Sequence, residues 1–175
     1  MKAFRISLYS ALLTIAFSAV ATAQNVQTDF DRSFNLAGLK TFAFSEQNRK
    51  PGDPLAASPI NDRRIHDVLE AQLKLHGFAG ANGKADFNIT YFATTRAGLD
   101  IQDNRMGVFY RSGGLNVSQV TEGTLVVIFT DAVTQQEVWR GFLTGVVTPK
   151  DLDKDLNKGI AKLVEKFVKN QAGKK

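Results

Sequence analysis

The sequence predicts an α+β fold, an antiparallel β-sheet of about four to five strands with two helices packed on one face. Three observations predict it. Residues 124–130, TLVVIFT, and 138–147, VWRGFLTGVV, are β-branched and aromatic runs on either side of a short polar interlude, which is how a hairpin reads. Residues 85–93, ADFNITYFA, alternate apolar and polar with period 2. Two further stretches, ending near Gly77 and Val168, repeat their apolar residues with the helical period. Strands joined in succession by short links favour an antiparallel sheet with the helices gathered on one side.

The first 23 residues stand apart from that domain. Lys2 and Arg5 precede Leu8 to Val20, which is uncharged and mostly apolar, and Ala21-Thr22-Ala23 supplies the small residues a signal peptidase needs. The apolar stretch is about 13 residues, short of the ~20 that cross a bilayer as a helix. The expectation is a signal peptide over 1–23, cleavage between Ala23 and Gln24, and export to the periplasm with no transmembrane segment left in the mature chain. What remains, 24–175, is the size of a single domain. The chain has no cysteine, which excludes disulfides, thiol catalysis, thiolate metal sites and lipidation at a lipobox. Without Lys2 and Arg5, 20 basic residues face 17 acidic ones, a small excess that does not point to nucleic acid.

Within the domain, Leu39, Thr41 and Ala43 alternate against Lys40, Phe42 and Phe44, predicting a strand over 39–45. A Pro-, Gly- and charge-rich surface loop follows. Ser58 then stands as an N-cap with Pro59 in the first turn. The helix it opens runs to about His76, burying Ile65, Val68, Leu69, Leu73 and Leu75. Phe87, Ile89, Tyr91 and Ala93 share one side of the next strand. Residues 98–121 read as a long, partly ordered excursion with one short strand at 107–111.

In the hairpin, Asp131 is placed to fold its carboxylate onto amides two or three residues on, and Thr134 to do the same. Both strands are apolar on both sides, so the hairpin belongs in the centre of the sheet. Trp139, Gly141, Leu143 and Gly145 share a face, and glycines at that spacing indicate a helix or a large side chain lying close. Thr148, Pro149 and Asp151 resemble a capping box opening the last helix. Its stripe is Leu152, Leu156, Ile160, Leu163 and Phe167, and the tail NQAGKK is expected to fray.

The chemistry in the sequence is sparse. His66 and His76 lie roughly 80° apart around one helix and about 15 Å apart along it, too far to share a metal. His66 has Asp62 and Glu70 four residues to either side, a row that a solvated helix face explains. No Gly-x-Ser-x-Gly elbow is present, and residues 80–84, GANGK, lead into a strand where a phosphate loop leads into a helix. Asp86, Glu122, Asp131 and Glu137 are the carboxylates that could converge for hydrolysis. Lys150, Lys154, Lys158, Lys162 and Lys166 recur every four residues along the last helix. Lys154, Lys158, Lys162 and Lys166 form a candidate surface for an anionic partner, although a solvated amphipathic face accounts for the same row. No catalytic residue, metal site or cofactor is expected.

Several of these stretches together resemble domain-of-unknown-function family 4136 of Gram-negative envelope proteins. They are Thr28-Asp29-Phe30-Asp31 with Phe34, Leu39-Lys40-Thr41-Phe42, the Ile65 to Leu73 helix closed by Gly77-Phe78, and Ala85-Asp86-Phe87. The last is the hairpin from Glu122-Gly123-Thr124-Leu125 to Val138-Trp139-Arg140-Gly141. The resemblance implies an envelope location and this architecture, and it carries over no catalytic residues. Many such proteins resemble lipoproteins, whereas Ala23-Gln24 here suggests a free periplasmic protein. The resulting expectation is a non-enzymatic binding or accessory domain for an envelope partner, protein or anionic lipid. The alternatives are a carrier of a small apolar or lipid ligand in a pocket between sheet and helices, and a hydrolase using converging carboxylates.

Overall fold

A computed structural model describes residues 24–45, 58–103, 115–147 and 150–173. The chain runs β1 (Asn25–Phe30), β2 (Thr41–Phe44), α1 (Pro59–Leu75), β3 (Ala79–Gly80), β4 (Phe87–Asp103), β5 (Leu115–Asp131), β6 (Glu137–Val147) and α2 (Leu152–Ala172). The six strands form one sheet in the order β1-β6-β5-β4-β2-β3. The β5–β6 hairpin is interior, as its two-sided apolar pattern requires.

The sheet is mixed and larger than the antiparallel sheet of four to five strands expected. β2 pairs in parallel with both β3 and β4, while the remaining pairings are antiparallel. The cause lies in the order of elements. α1 carries the chain back along the sheet between β2 and β4, so the two strands must run the same way. β1 and the two-residue β3 are the strands the expectation lacked. Val26, Thr28 and Phe30 do alternate with Asn25, Gln27 and Asp29, but only Val26 is buried, as suits a polar edge strand.

The excursion expected over 98–121 is also corrected. β4 and β5 are paired without a break from Phe87↔Asp131 to Asp103↔Leu115, so 98–103 and 115–121 extend the ladder. The short strand expected at 107–111 lies outside the described residues.

One face of the sheet carries Phe87, Ile89, Tyr91, Leu125, Val127, Phe129, Trp139 and Leu143, all buried beneath both helices. Ile65, Leu69 and Leu73 come down from α1, and Ile160, Leu163, Val164 and Phe167 from α2. Trp139 stacks on Phe129 at 4.7 Å between centroids, and Phe167 meets Phe129 edge-on at 4.7 Å. A bulge lets two successive residues point inward: Thr130 pairs with Glu137 and Phe129 with Trp139, leaving Val138 as the extra residue. Val138 and Trp139 are accordingly both buried.

The helix ends follow local chemistry. Ser58 Oγ accepts from Asn61 N at the start of α1. At its end Gly77 has φ 87, and Phe78 N donates to Leu73 O at 3.1 Å while Gly77 N donates to Lys74 O at 3.0 Å, a Schellman closure. Gly77→Val is expected to lower unfolding free energy by about 1–2 kcal/mol, read from urea denaturation, because a side chain there opposes the left-handed backbone. An unchanged midpoint would mean the turn relaxes at no cost. Leu75, expected on the buried face, is 76% exposed, since that face has rotated past it by the last turn.

α2 begins at Leu152, with Asp151 at the cap position and no side-chain capping bond; Thr148 and Pro149 lie outside the described residues. Its tail does not fray where expected. Asn170 Oδ1 accepts from Trp139 Nε1 at 3.1 Å, and Gln171 Nε2 donates to the carbonyls of Leu36 and Leu39 at 2.8 and 3.2 Å. Asn170→Ala would strand the indole N–H, and a loss of about 1–3 kcal/mol in urea unfolding is expected.

Candidate functional site

At one end of the sandwich the sheet and both helices diverge around a cavity of about 130 Å³. Its floor follows from cross-strand register. Ala93, Leu125 and Leu143 face one another across β4, β5 and β6, and the next inward-facing row is Thr95, Gly123 and Gly145. Two of those three positions have no side chain, so the layer that would fill the gap between sheet and helices is missing. Ile65 and Asn61 of α1 and Leu152 and Leu156 of α2 close the sides. Arg64 Nε meets Asp153 Oδ1 at 3.1 Å, tying the second turn of α1 to the first turn of α2. Tyr91 Oη donates to Asp62 Oδ1 at 2.6 Å, fixing the start of α1 on β4.

Gln24 stands at the mouth. Its Nε2 donates to Asp155 O at 2.8 Å, while its Oε1 is buried without a hydrogen-bond partner among the described residues. Its Cγ would lie 3.3 Å from a Cβ placed on Gly145. On its other side Gln24, Asn25 and Val26 form one wall of a groove, and Lys162, Glu165, Lys166 and Lys169 of α2 form the other. Lys166 Nζ donates to Val26 O, closing an outward carbonyl of the edge strand.

The sequence-derived candidates distribute unevenly over this site. Lys154, Lys158, Lys162 and Lys166 are all exposed on α2, but only Lys162 and Lys166 line the groove, joined by Lys169 from outside the four-residue repeat. The rise of a straight helix turns such a repeat slowly around the axis, so the row does not stay over one neighbour. Gln24, Gly123 and the Ala93 row carried no local signal of a cavity, because register across three strands creates it. The glycine spacing did carry one. A Cβ on Gly141 would lie 2.5 Å from Trp139 Cη2 and 2.9 Å from Leu163 Cγ, which is the close approach expected there.

Asp86, Asp131, Glu137 and His66 each have contacts of their own. Asp86 Oδ2 accepts from Lys40 N, Thr41 N and Thr41 Oγ1 at 2.9, 2.7 and 2.8 Å. The backbone N–H of Lys40, then those of Thr41 and its hydroxyl, hold its carboxyl below the usual aspartate range. Asp131 is 8% exposed, and its Oδ2 accepts from Thr134 N and Oγ1, both at 2.7 Å, the turn chemistry expected. These bonds likewise lower its pKa. Glu137 pairs with Arg140. None of these three lines the cavity or the groove. Around His66, Asp62 accepts from Tyr91 and Glu70 pairs with Lys74 at 2.7 Å. His66 Nδ1 lies 3.4 Å from Asp67 Oδ1, and its ring lies against that of Phe44, 4.0 Å between centroids. Among the described residues no group of His, Asp and Glu could hold a metal ion, and no helix is long and apolar enough to cross a membrane.

The lowered carboxylates have a pH consequence. A folded pKa below the unfolded value contributes stability that is complete above the unfolded value, near 3.8, and lost as pH falls through the folded one. Asp86→Asn with Asp131→Asn should therefore flatten the acid limb of stability below about pH 4 while lowering stability at pH 7. Equal acid slopes for variant and parent would remove the assignment.

The family profile described as Domain of unknown function (DUF4136) matches residues 26–167. The chain belongs to the DUF4136 family. The match takes in every element from β1 through most of α2. No curated protein matches the chain. Among solved structures it is similar to a PDZ domain protein from Parabacteroides distasonis, with a TM-score of 0.54 and 13% identity over 81% of this chain, which spans only 35% of that one. It is similar to PelC of Paraburkholderia phytofirmans, solved as a dodecamer, with a TM-score of 0.51 and 14% identity over 83% of this chain and 97% of that one. A DUF4136 family protein from Bacteroides thetaiotaomicron aligns at 12% identity and a TM-score of 0.47, over 82% and 95%. At these identities the first two show a shared fold.

Proposed function

We propose that this DUF4136 domain is an exported envelope protein that binds an apolar group rather than transforming a substrate. The observation that carries the reading is the cavity at the Thr95–Gly123–Gly145 row, whose lining surface is mostly apolar. An apolar cavity of about 150 Å³ can hold benzene, so about 130 Å³ accepts a ring or the end of one hydrocarbon chain. Asp86 and Asp131, two of the acids that could serve hydrolysis, accept N–H groups that lower their pKa, whereas a general acid is kept protonated. Export rests on the basic and apolar leader before Ala23, and the periplasmic protein is expected to begin at Gln24 by intact mass. A product still carrying the leader would remove that part.

The test of binding uses a neutral probe. Purified 24–175 is expected to bind 1-decanol saturably, and Ala93→Leu, which puts a side chain into the cavity, to weaken this about tenfold or more while the protein stays folded. Equal binding by the variant would overturn the reading. A second reading, a protein partner, is favoured by the opposite face of the sheet. There Phe92, Val126 and Phe142 stand side by side across β4, β5 and β6, and Phe92 is 39% exposed.

A further inference from the structure

We propose that the ligand is a single-chain anionic amphiphile, its chain end in the cavity and its charged head on Lys162, Lys166 and Lys169. This rests on the binding reading above and names the chemical class of what is bound. The argument is one of adjacency. Gln24 belongs to the walls of both spaces, the apolar cavity on one side and the lysine groove on the other. α2 runs beneath both, giving Leu156 to the first and Lys162 to the second, a separation of about 9 Å along the helix. That is a distance a medium-length alkyl chain bridges.

The charge of the groove selects the head. Three ammonium groups face one carboxylate there, that of Glu165, and an oxyanion is attracted by the excess. Cleavage before Gln24 would add an α-ammonium at the same place. The cavity selects a single chain, because about 130 Å³ has no room for two. The Oε1 of Gln24, without a hydrogen-bond partner among the described residues, marks the crossing point between the two spaces. Its side chain is held by Asp155 O rather than by a partner across the gap. A molecule crossing there meets hydrocarbon on one side of Gln24 and cations on the other, which is the order of polarity along a fatty acid.

The experiment compares decanoate with 1-decanol, alike in chain and different in head, by calorimetry on the 24–175 protein. The parent is expected to bind decanoate about tenfold or more tightly than 1-decanol, with the difference shrinking as salt is raised. Lys162→Gln with Lys169→Gln, which leaves the Lys166 bond to Val26 intact, should shrink that preference several-fold, weakening decanoate far more than 1-decanol. Ala93→Leu should weaken both. Decanoate binding that survives the lysine changes and is lost in Ala93→Leu would overturn the head-group assignment and leave the cavity reading standing. Binding of neither probe would overturn both. Attachment to phosphatidylglycerol vesicles without affinity for monomeric decanoate would make the lysines a membrane-facing surface, and the amphiphile assignment would fall.

Discussion

Phe167→Ala is expected to remove about 4 kcal/mol of unfolding free energy, about a quarter or more of what a folded domain holds in reserve. Phe167 is fully buried, and its ring lies 4.7 Å from that of Phe129, 5.3 Å from Trp139, 5.4 Å from Phe78 and 5.9 Å from Phe87. Those four rings come from β5, β6, β4 and the segment after α1, so one side chain joins the last helix to most of the fold. Cutting it to a methyl group removes its burial and leaves a space that packed aromatics cannot collapse to fill. Urea denaturation followed by tryptophan fluorescence measures it, since Trp139 is the only tryptophan. A loss under about 1 kcal/mol would mean that α2 is not seated on the sheet as described.

Gly141→Val should cost about 3 kcal/mol for the opposite reason. A Cβ there would sit 2.5 Å from Trp139 Cη2 and 2.9 Å from Leu163 Cγ, and two further methyl groups have nowhere to go. Overpacking of this kind typically costs 1–3 kcal/mol; the rigid indole, pinned by Asn170, places this case at the upper end. The clash predicts its own rescue. Leu163→Ala destabilises the parent, but in the Gly141→Val background it should recover stability, giving a coupling energy above about 1 kcal/mol in a double-mutant cycle. Strict additivity would show that the valine is accommodated elsewhere.

The contrast between these two positions explains how much of the molecule could be read in advance. Gly141 announced itself, because a glycine inside a β-branched run has few reasons to be there other than close packing. The α1 cap at Ser58, the Asp131–Thr134 turn and the interior hairpin were equally legible, each being written within a few residues. Parallel pairing of β2 with β4 was implied by strand, helix, strand, yet the hairpin made an antiparallel sheet look general. The edge strand β1 hid because only Val26 of its six residues is buried. The cavity was not legible at all. It depends on Gly123 falling opposite Gly145, 22 residues away in the chain, and on Gln24 reaching them from the other end. The lysine repeat was visible as a pattern, but which of its members line the groove is decided by where β1 ends up.

That placement of β1 bears on when the molecule can form. Among the described residues its only sheet partner is β6, and Val26 accepts from Lys166, 140 positions further on. A polypeptide threaded through a pore from its amino end would thus emerge with its first strand unmatched, waiting for the final helix to arrive. Such long-range closure slows assembly, and in an exported chain it would leave the leading segment pliable until the last of it is through.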